Sequence, residues 1–483
     1  MNVNPIIPGF YPDPSICRVG DDFYLVNSSF EYFPGVPIFH STDLVEWKQI
    51  GNVLTRPSQL NVTTGPAAAS TGIYAPTLRH HDGTFWLVTT NVNDIRKGHL
   101  IVWADDPAGE WSDPVYTTGA IGIDPDLAWD EDGTCYLTWA LDGIHQAVVD
   151  PETGKLLSEQ RPLWKGTARA HAEGPHLFRR DGWWYLLIAE GGTERGHAVS
   201  IARSRVITGP FTGNAANPIL TRAGIDHPVQ NTGHADLVEL PDGQWAMVYL
   251  GVRPRGITPM FHVNGRETFL AGVDWVDGWP VVVEDRFLAE PCPTSFSDDF
   301  AARELHPRWI SQGVDPRTFA RQRPGGGLDL APGPAGDARR LLAVRARDLQ
   351  WQASATIASG DAGLSVRIDD AHWAAVERNG DTLSVRLVVG PLDQTLATVL
   401  GVGADRPLAV RSLPNDHAFF TADKGPDRLE LGYLDDGFHA LATVDGRYLS
   451  TEVAGGFTGR VIGVEALGGE AILTRFDYSA LDT

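Results

Sequence analysis

Three acids in this 483-residue chain stand where side-chain chemistry could use them: Asp13 between two prolines in FYPDPSIC, Asp124 in IDPD and Glu173 in AEGPH. His234 sits in NTGHADLV, and Arg266 in GRETFLAGVDW. Two carboxylates of different proton affinity across a cleft can cleave an acetal, because one protonates the leaving oxygen while the other activates water. A third acid beside the donor raises its pKa by like-charge repulsion and keeps it protonated near neutrality. Asp-Pro alone carries no such message. The chain also contains Asp106-Pro107, Asp113-Pro114, Asp150-Pro151 and Asp315-Pro316, and Asp before Pro commonly starts a turn. The acids matter only if the fold gathers them.

An internal repeat does so. A tight turn followed by an aromatic-rich strand recurs as GDDFYLVNS from Gly20, DGTFWLVTT from Asp82, DGTCYLTWA from Asp132, DGWWYLLIA from Asp181 and DGQWAMVYL from Asp242. Asp-Gly between apolar runs is a strong hairpin signal, since both turn residues must accept positive φ. A second strand and polar turn follow each copy: FHSTDLVEW, VWADDPAGEW, IARSRVITGPF, LAGVDWVDGW and, more weakly, HQAVVDPETG. The spacing of roughly 50 to 60 residues is that of a four-stranded propeller blade. Helical periodicity is nearly absent. Five blades are predicted.

About eleven residues before each hairpin lie DPSIC at Asp13, APTLR at Ala75, DPDLA at Asp124, GPHLF at Gly174 and HADLV at His234. The first strand of a blade lines the central channel, so equivalent positions face one another around the axis. Asp13, Asp124 and His234 should therefore converge, with Glu173 one residue before its equivalent slot. Asp126 competes with Asp124 but aligns with Ser15 and Thr77. Each of these residues has an ordinary reading, a turn Asp or a satisfied core His. Three acids crowded into one low-dielectric channel repel one another, a cost structure alone seldom retains. Glu173, flanked by Ala172, Gly174 and Pro175, suits the proton donor; Asp13, held by Phe10, Tyr11 and two prolines, suits the base.

GFYPDPSIC, FEYFPGVPIFHS, IDPD, AEGPHLF, NTGHADLV and GRETFLAGVDW, in that order over roughly residues 4 to 290, resemble glycoside hydrolase family 43. That resemblance implies an inverting enzyme on a five-bladed propeller, acting on β-xylosides and α-L-arabinofuranosides. It places the general base on Asp13, the pKa-modulating acid on Asp124 and the general acid on Glu173. His234 matches the channel histidine, and Arg266 an arginine that steadies the modulating acid and a sugar hydroxyl. The bland alternative for Arg266 is a pair with Glu267, which adjacent strand positions make awkward. Tyr74 stands where many β-xylosidases of this type carry tryptophan, and Tyr11 replaces a histidine, so the resemblance leaves the sugar preference open.

Twelve of the fifteen tryptophans precede residue 290. Trp86, Trp139, Trp184 and Trp245 read as blade core. The run Phe30 to Pro34 breaks strand alternation and places Phe33 at the pocket wall, with Tyr74 as a second stacking ring. HAEGPH is not the helical zinc arrangement, since Gly-Pro opposes a helix. No catalytic metal and no cofactor are expected, although a divalent cation such as calcium near His234 is compatible with the channel.

Composition shifts after Leu288 at AEPCPTSF, a proline-bearing link. Domains are thus expected at 1–290 and 291–483. GLSVRI, WAAVER, TLSVRLVV, RLELGYL and VIGVEAL alternate as short strands, with turns at Asn379-Gly380 and Asp445-Gly446. The fold class is all-β: a five-bladed β-propeller followed by a β-sandwich, concanavalin-like by the resemblance and able to lend a loop to the pocket rim. The stretch 323–340 is expected as a loop.

A formal charge of -22 argues against nucleic acid, and no apolar run reaches membrane length. A small neutral carbohydrate, a xylo- or arabinoxylo-oligosaccharide, is the partner expected, with homo-oligomerisation left open. Three distant cysteines read as reduced thiols, and Met1 leads into polar residues rather than a signal sequence, so a cytoplasmic location is expected with export still open. Two rivals remain: a propeller lectin or interaction scaffold, which needs no channel acids, and a fructoside hydrolase, whose motifs the chain lacks.

Overall fold

The structure, a computed structural model, describes residues 3–60, 69–333, 340–415 and 424–481. Five antiparallel sheets form in chain order. Blade 1 runs Ser15–Val19, Asp22–Val26, Gly35–Ser41 and Lys48–Leu54; blade 2 runs Thr77–His81, Thr84–Thr89, Leu100–Ala104 and Val115–Tyr116. Blade 3 holds Ile123–Trp129, Cys135–Ala140, Ile144–Val148 and Arg161–Trp164, and blade 5 holds Gln230–Glu239, Trp245–Val252, Glu267–Val276 and Trp279–Val283. Blade 4, Glu173–Arg180, Trp183–Glu190, Ala198–Ser204 and Thr212–Gly213, gains a short extra strand, Leu220–Thr221. Every predicted Asp-Gly hairpin strand is the second strand of its blade.

The inner strands adjoin in sequence, and the first meets the last, so the ring closes. Apolar side chains fill the space between neighbouring blades as five separate clusters, one per blade pair. Trp86, Trp139, Trp184 and Trp245 all lie in these clusters, as their strand positions require. A bridge between Ile7 and Thr268 ties the N-terminal segment to blade 5.

The inner strands are kinked at one repeat position. Asp13, Asp124, Gly174 and His234 have φ of 53, 54, 56 and 43°, and the pairing register slips there in blades 3, 4 and 5. A bulge of this kind re-aims one side chain without ending the strand, and Asp and Asn-like residues tolerate the left-handed region best. Two residues further on, Ser15, Thr77, Asp126, His176 and Asp236 form the next layer down the channel. Arg79 of blade 2 fills that layer. Its guanidinium lies 2.9 Å from Asp126 Oδ1 and 2.9 Å from Asp236 Oδ2, and it donates to His176 Nδ1 at 2.9 Å. Because arginine only donates, the His176 proton sits on Nε2. Asp236 also accepts from Ser15 Oγ at 2.8 Å and from the Ile16 amide at 3.1 Å.

The second domain is a sandwich of a six-stranded and an eight-stranded sheet around Trp309, Trp351, Leu364, Val376, Leu431 and Phe476. All five predicted alternating stretches are strands in it. Asn379-Gly380 makes the expected hairpin. Asp445 instead caps a short 3-10 turn, accepting from the Arg447 amide. The loop expectation for 323–340 needs correction at Leu328–Leu330, a strand paired on both sides because Leu328 and Leu330 reach the core; residues 334–339 lie outside the described residues.

The two domains are joined by more than a linker. Tyr32–Phe33 of the propeller pairs with Ser311–Gln312 of the sandwich. The buried Asp427 carboxylate takes Arg460 at 2.6 Å and Arg255 of the propeller at 3.2 Å.

Removing the Arg79 cation leaves Asp126 and Asp236 facing each other unneutralised, so Arg79→Met should cost about 3–5 kcal/mol. The readout is the midpoint of thermal unfolding, with Asp236→Asn in the same chain recovering part of the loss. An unshifted midpoint would show that this layer contributes nothing to stability.

Candidate active site

A cavity of about 400 Å³ opens above the Arg79 layer, lined by Asp13, Asp124, Glu173, His234 and Arg266 together with Phe30, Tyr74 and Phe457. The structure thus brings together all three acids, the histidine and the arginine singled out in the sequence. Asp13 and Asp124 are 5% and 6% exposed.

Each acid is held differently. Asp13 Oδ2 accepts from Ser28 Oγ at 2.5 Å, and its Oδ1 takes Arg266 Nη1 at 3.0 Å. His234 Nδ1 lies 3.4 Å from the same Oδ1. Burial alone would raise the Asp13 pKa, but Arg266, His234, Ser28 and His197 outweigh it and hold the carboxyl below its ordinary range. Glu173 has no such partners: burial, then the charge of Asp13, push it up to about 7 against a weaker pull from Arg266. Asp124 is raised well above its ordinary value by burial, by Glu173 and by Asp13, although the Gly174 amide donates to its Oδ2 at 3.2 Å.

The displaced position of Glu173 has a steric cause. A Cβ on Gly174 would stand 2.7 Å from His234 Nε2, closer than side-chain atoms pack, and the backbone there is left-handed. The imidazole occupies the slot. Only glycine fits, and the carboxylate comes from the preceding residue.

Residues 3–280 match the model of glycosyl hydrolases family 43, and residues 297–479 match the beta xylosidase C-terminal concanavalin A-like domain. The chain belongs to glycosyl hydrolase family 43. Among its relatives, a xylosidase/arabinosidase of Butyrivibrio fibrisolvens is 50% identical over 297 residues, an alignment spanning 58% of this chain and 56% of that protein. A non-reducing end alpha-L-arabinofuranosidase of Bacteroides ovatus is 36% identical over 518 residues, covering 99% of this chain and 95% of that protein. The solved xylan beta-1,4-xylosidase of Bacillus halodurans superposes with a TM-score of 0.87 at 29% identity, covering 99% of this chain and 100% of that one. Membership in family 43 makes the chain a glycoside hydrolase and sets the lectin reading aside.

Within this family 43 fold, two sequence expectations change. Phe33 does not reach the cavity: it pairs with Ser311 and is buried in the cluster between blades 1 and 2. Phe30, left-handed at φ 50°, turns into the pocket in its place. Arg266, expected to steady Asp124, binds Asp13 and Thr193 Oγ1, the latter at 3.0 Å; Glu267 pairs with Arg253 instead. The residues of HAEGPH separate, with His171 on the rim, Glu173 in the pocket and His176 in the layer below. Among the described residues no group of three or more His, Cys, Asp or Glu is arranged to hold a metal ion.

Tyr74 lines the cavity as expected, edge-on to Phe30 at 5.7 Å and to Phe457 at 5.8 Å. Phe457 comes from the sandwich domain and was invisible to motif reading, as were Ser28, Thr193 and Arg79. Ser70 holds this wall: its Oγ accepts from the Phe457 amide at 2.8 Å and its carbonyl from the Tyr74 hydroxyl at 3.2 Å.

Phe457→Ala should therefore raise KM for aryl glycosides by about tenfold with a smaller change in kcat. Steady-state kinetics check this, and an unaltered KM would remove Phe457 from the binding wall.

Proposed function

We propose that this chain is an exo-acting, inverting glycosidase releasing α-L-arabinofuranose, β-D-xylose or both from xylan-derived oligosaccharides. The observation that carries the reading is the opposed proton affinity of Asp13 and Glu173 in one small pocket. Asp13, kept ionised by Arg266, is the general base. Glu173, pushed up to about 7, is the general acid. Asp124, itself raised by burial and by the charges of Glu173 and Asp13, crowds the same pocket, so the two acids cannot both ionise and the pair keeps a proton for the leaving oxygen. The names of the relatives from Butyrivibrio and Bacteroides support the sugar class.

In this scheme the terminal sugar rests its CH face on Phe30, Tyr74 and Phe457. Asp13 removes a proton from a water on the face opposite the leaving group, the water oxygen bonds to the anomeric carbon, and the glycosidic C–O bond breaks as Glu173 delivers its proton. Such a displacement needs the two carboxyls about 6.5–9.5 Å apart and inverts the anomeric configuration. No cofactor enters. A divalent ion beside His234 would have to share Asp13 with Arg266, and no step is assigned to one.

The pH dependence follows by sign. The base works only ionised, so kcat/KM should fall on the acid side as pH drops through the lowered Asp13 value. The acid works only protonated, so kcat/KM should fall on the alkaline side as pH rises through about 7. A flat profile across neutrality would remove Glu173 as the donor.

Glu173→Gln should cut hydrolysis of xylobiose or arabinoxylo-oligosaccharides by roughly 10²–10⁴-fold, and much less for a nitrophenyl glycoside, whose leaving group needs little proton assistance. Equal losses on both substrates would contradict the assignment, as would an NMR time course showing a retained product anomer.

A further inference from the structure

A second cavity, of about 190 Å³, lies between the domains, away from the pocket acids, and its lining carries Lys48, Arg308, Arg345, Arg347 and His306 with Tyr11 and Tyr478 but no carboxylate. For a chain of charge -22 this is an unusual concentration of cations. Burying like charges together is costly unless something of opposite sign meets them.

The arginines are not answered by acids of their own. Among the described residues none of Arg308, Arg345 and Arg347 forms an ion pair with a carboxylate. Arg308 spends its Nε on His306 Nδ1 at 3.0 Å and covers the Phe296 ring at 4.0 Å. Arg347 donates its Nε to the Pro8 carbonyl at 3.3 Å. Arg345 is 3% exposed and donates its Nε to the Phe10 carbonyl at 3.0 Å. Its two terminal nitrogens are buried and meet no acceptor at hydrogen-bond geometry; the guanidinium lies 4.4 Å from the centres of the Phe10 and Tyr11 rings, and burial lowers its proton affinity against the pull of Tyr11 and Tyr32. Asp298, whose charge acts on Arg308, and Asp348 are engaged elsewhere. Asp298 accepts from Trp309 Nε1 at 2.8 Å, and Asp348 from Tyr478 and Thr294 at 2.8 and 2.6 Å.

We propose that this cavity is a binding site for a small divalent oxyanion, phosphate or a dicarboxylate, held by Arg308, Arg345, Arg347 and Lys48. Planar guanidinium forks match such oxygens in pairs, and the volume exceeds that of several waters. Lys48 comes from blade 1 and the three arginines from the sandwich, so the anion would bridge the domains. An oxyanion that binds only the folded chain stabilises it by mass action.

The test is thermal unfolding of the full chain titrated with sodium phosphate, and separately with sodium malonate, against sodium chloride at equal ionic strength. A saturable rise in the unfolding midpoint beyond chloride is expected for at least one, and which one responds identifies the chemistry. Arg308→Gln and Lys48→Gln, at solvent-reached positions remote from the pocket acids, should fold, keep aryl-glycoside turnover and weaken the apparent affinity about tenfold or more. Calorimetric titration of the same variants gives the affinity directly. A midpoint that tracks ionic strength alone, or a response unchanged in both variants, overturns the proposal.

Discussion

Each layer of the propeller channel contains more carboxylates than arginines, and the single arginine in each decides which carboxylate stays ionised. In the lower layer Arg79 and His176 hold Asp236 below its ordinary pKa against burial, while burial carries Asp126 up to about 7 despite the same arginine. In the upper layer Arg266 and His234 hold Asp13 down, and Glu173 rises to about 7. The lower layer spends this imbalance on closing the channel. The upper one leaves it facing a cavity, where a proton held in place by burial can be given away.

The geometry that makes this possible is a backbone feature repeated around the axis. The left-handed residue at the head of the inner strands turns Asp13, Asp124 and His234 inward, and the same kink at Gly174 leaves room for the imidazole. Three blades therefore contribute polar side chains at one height, while the second blade contributes Ala75 there and Arg79 one layer deeper. The aromatic wall is assembled differently. Phe30 and Tyr74 come from loops before and after the first blade's end, and Phe457 reaches across from the sandwich, fixed by its amide to Ser70.

Much of this was legible in the sequence because propeller repeats translate linear spacing into angular position. Once the five hairpins were aligned, the convergence of Asp13, Asp124 and His234 followed, and so did the lower-layer placement of Asp126 beside Ser15 and Thr77. What could not be read was decided by contacts between distant segments. Phe33 looked like pocket lining because alternation breaks near it; pairing with Ser311, nearly three hundred residues on, buries it and hands the position to Phe30. The partner of Arg266 depended on which channel acid its strand reaches. Phe457 lies in a sandwich loop with no motif of its own. Arg79 sat inside an aligned repeat and was overlooked because its repeat position in the other blades holds no charge.

The Ser70 to Phe457 hydrogen bond ties the wall of the pocket to the domain architecture. A propeller grafted onto a different accessory module would keep its acids yet lose the Phe457 side of the cavity, so the shape of the pocket belongs to the pair of domains and not to the propeller alone.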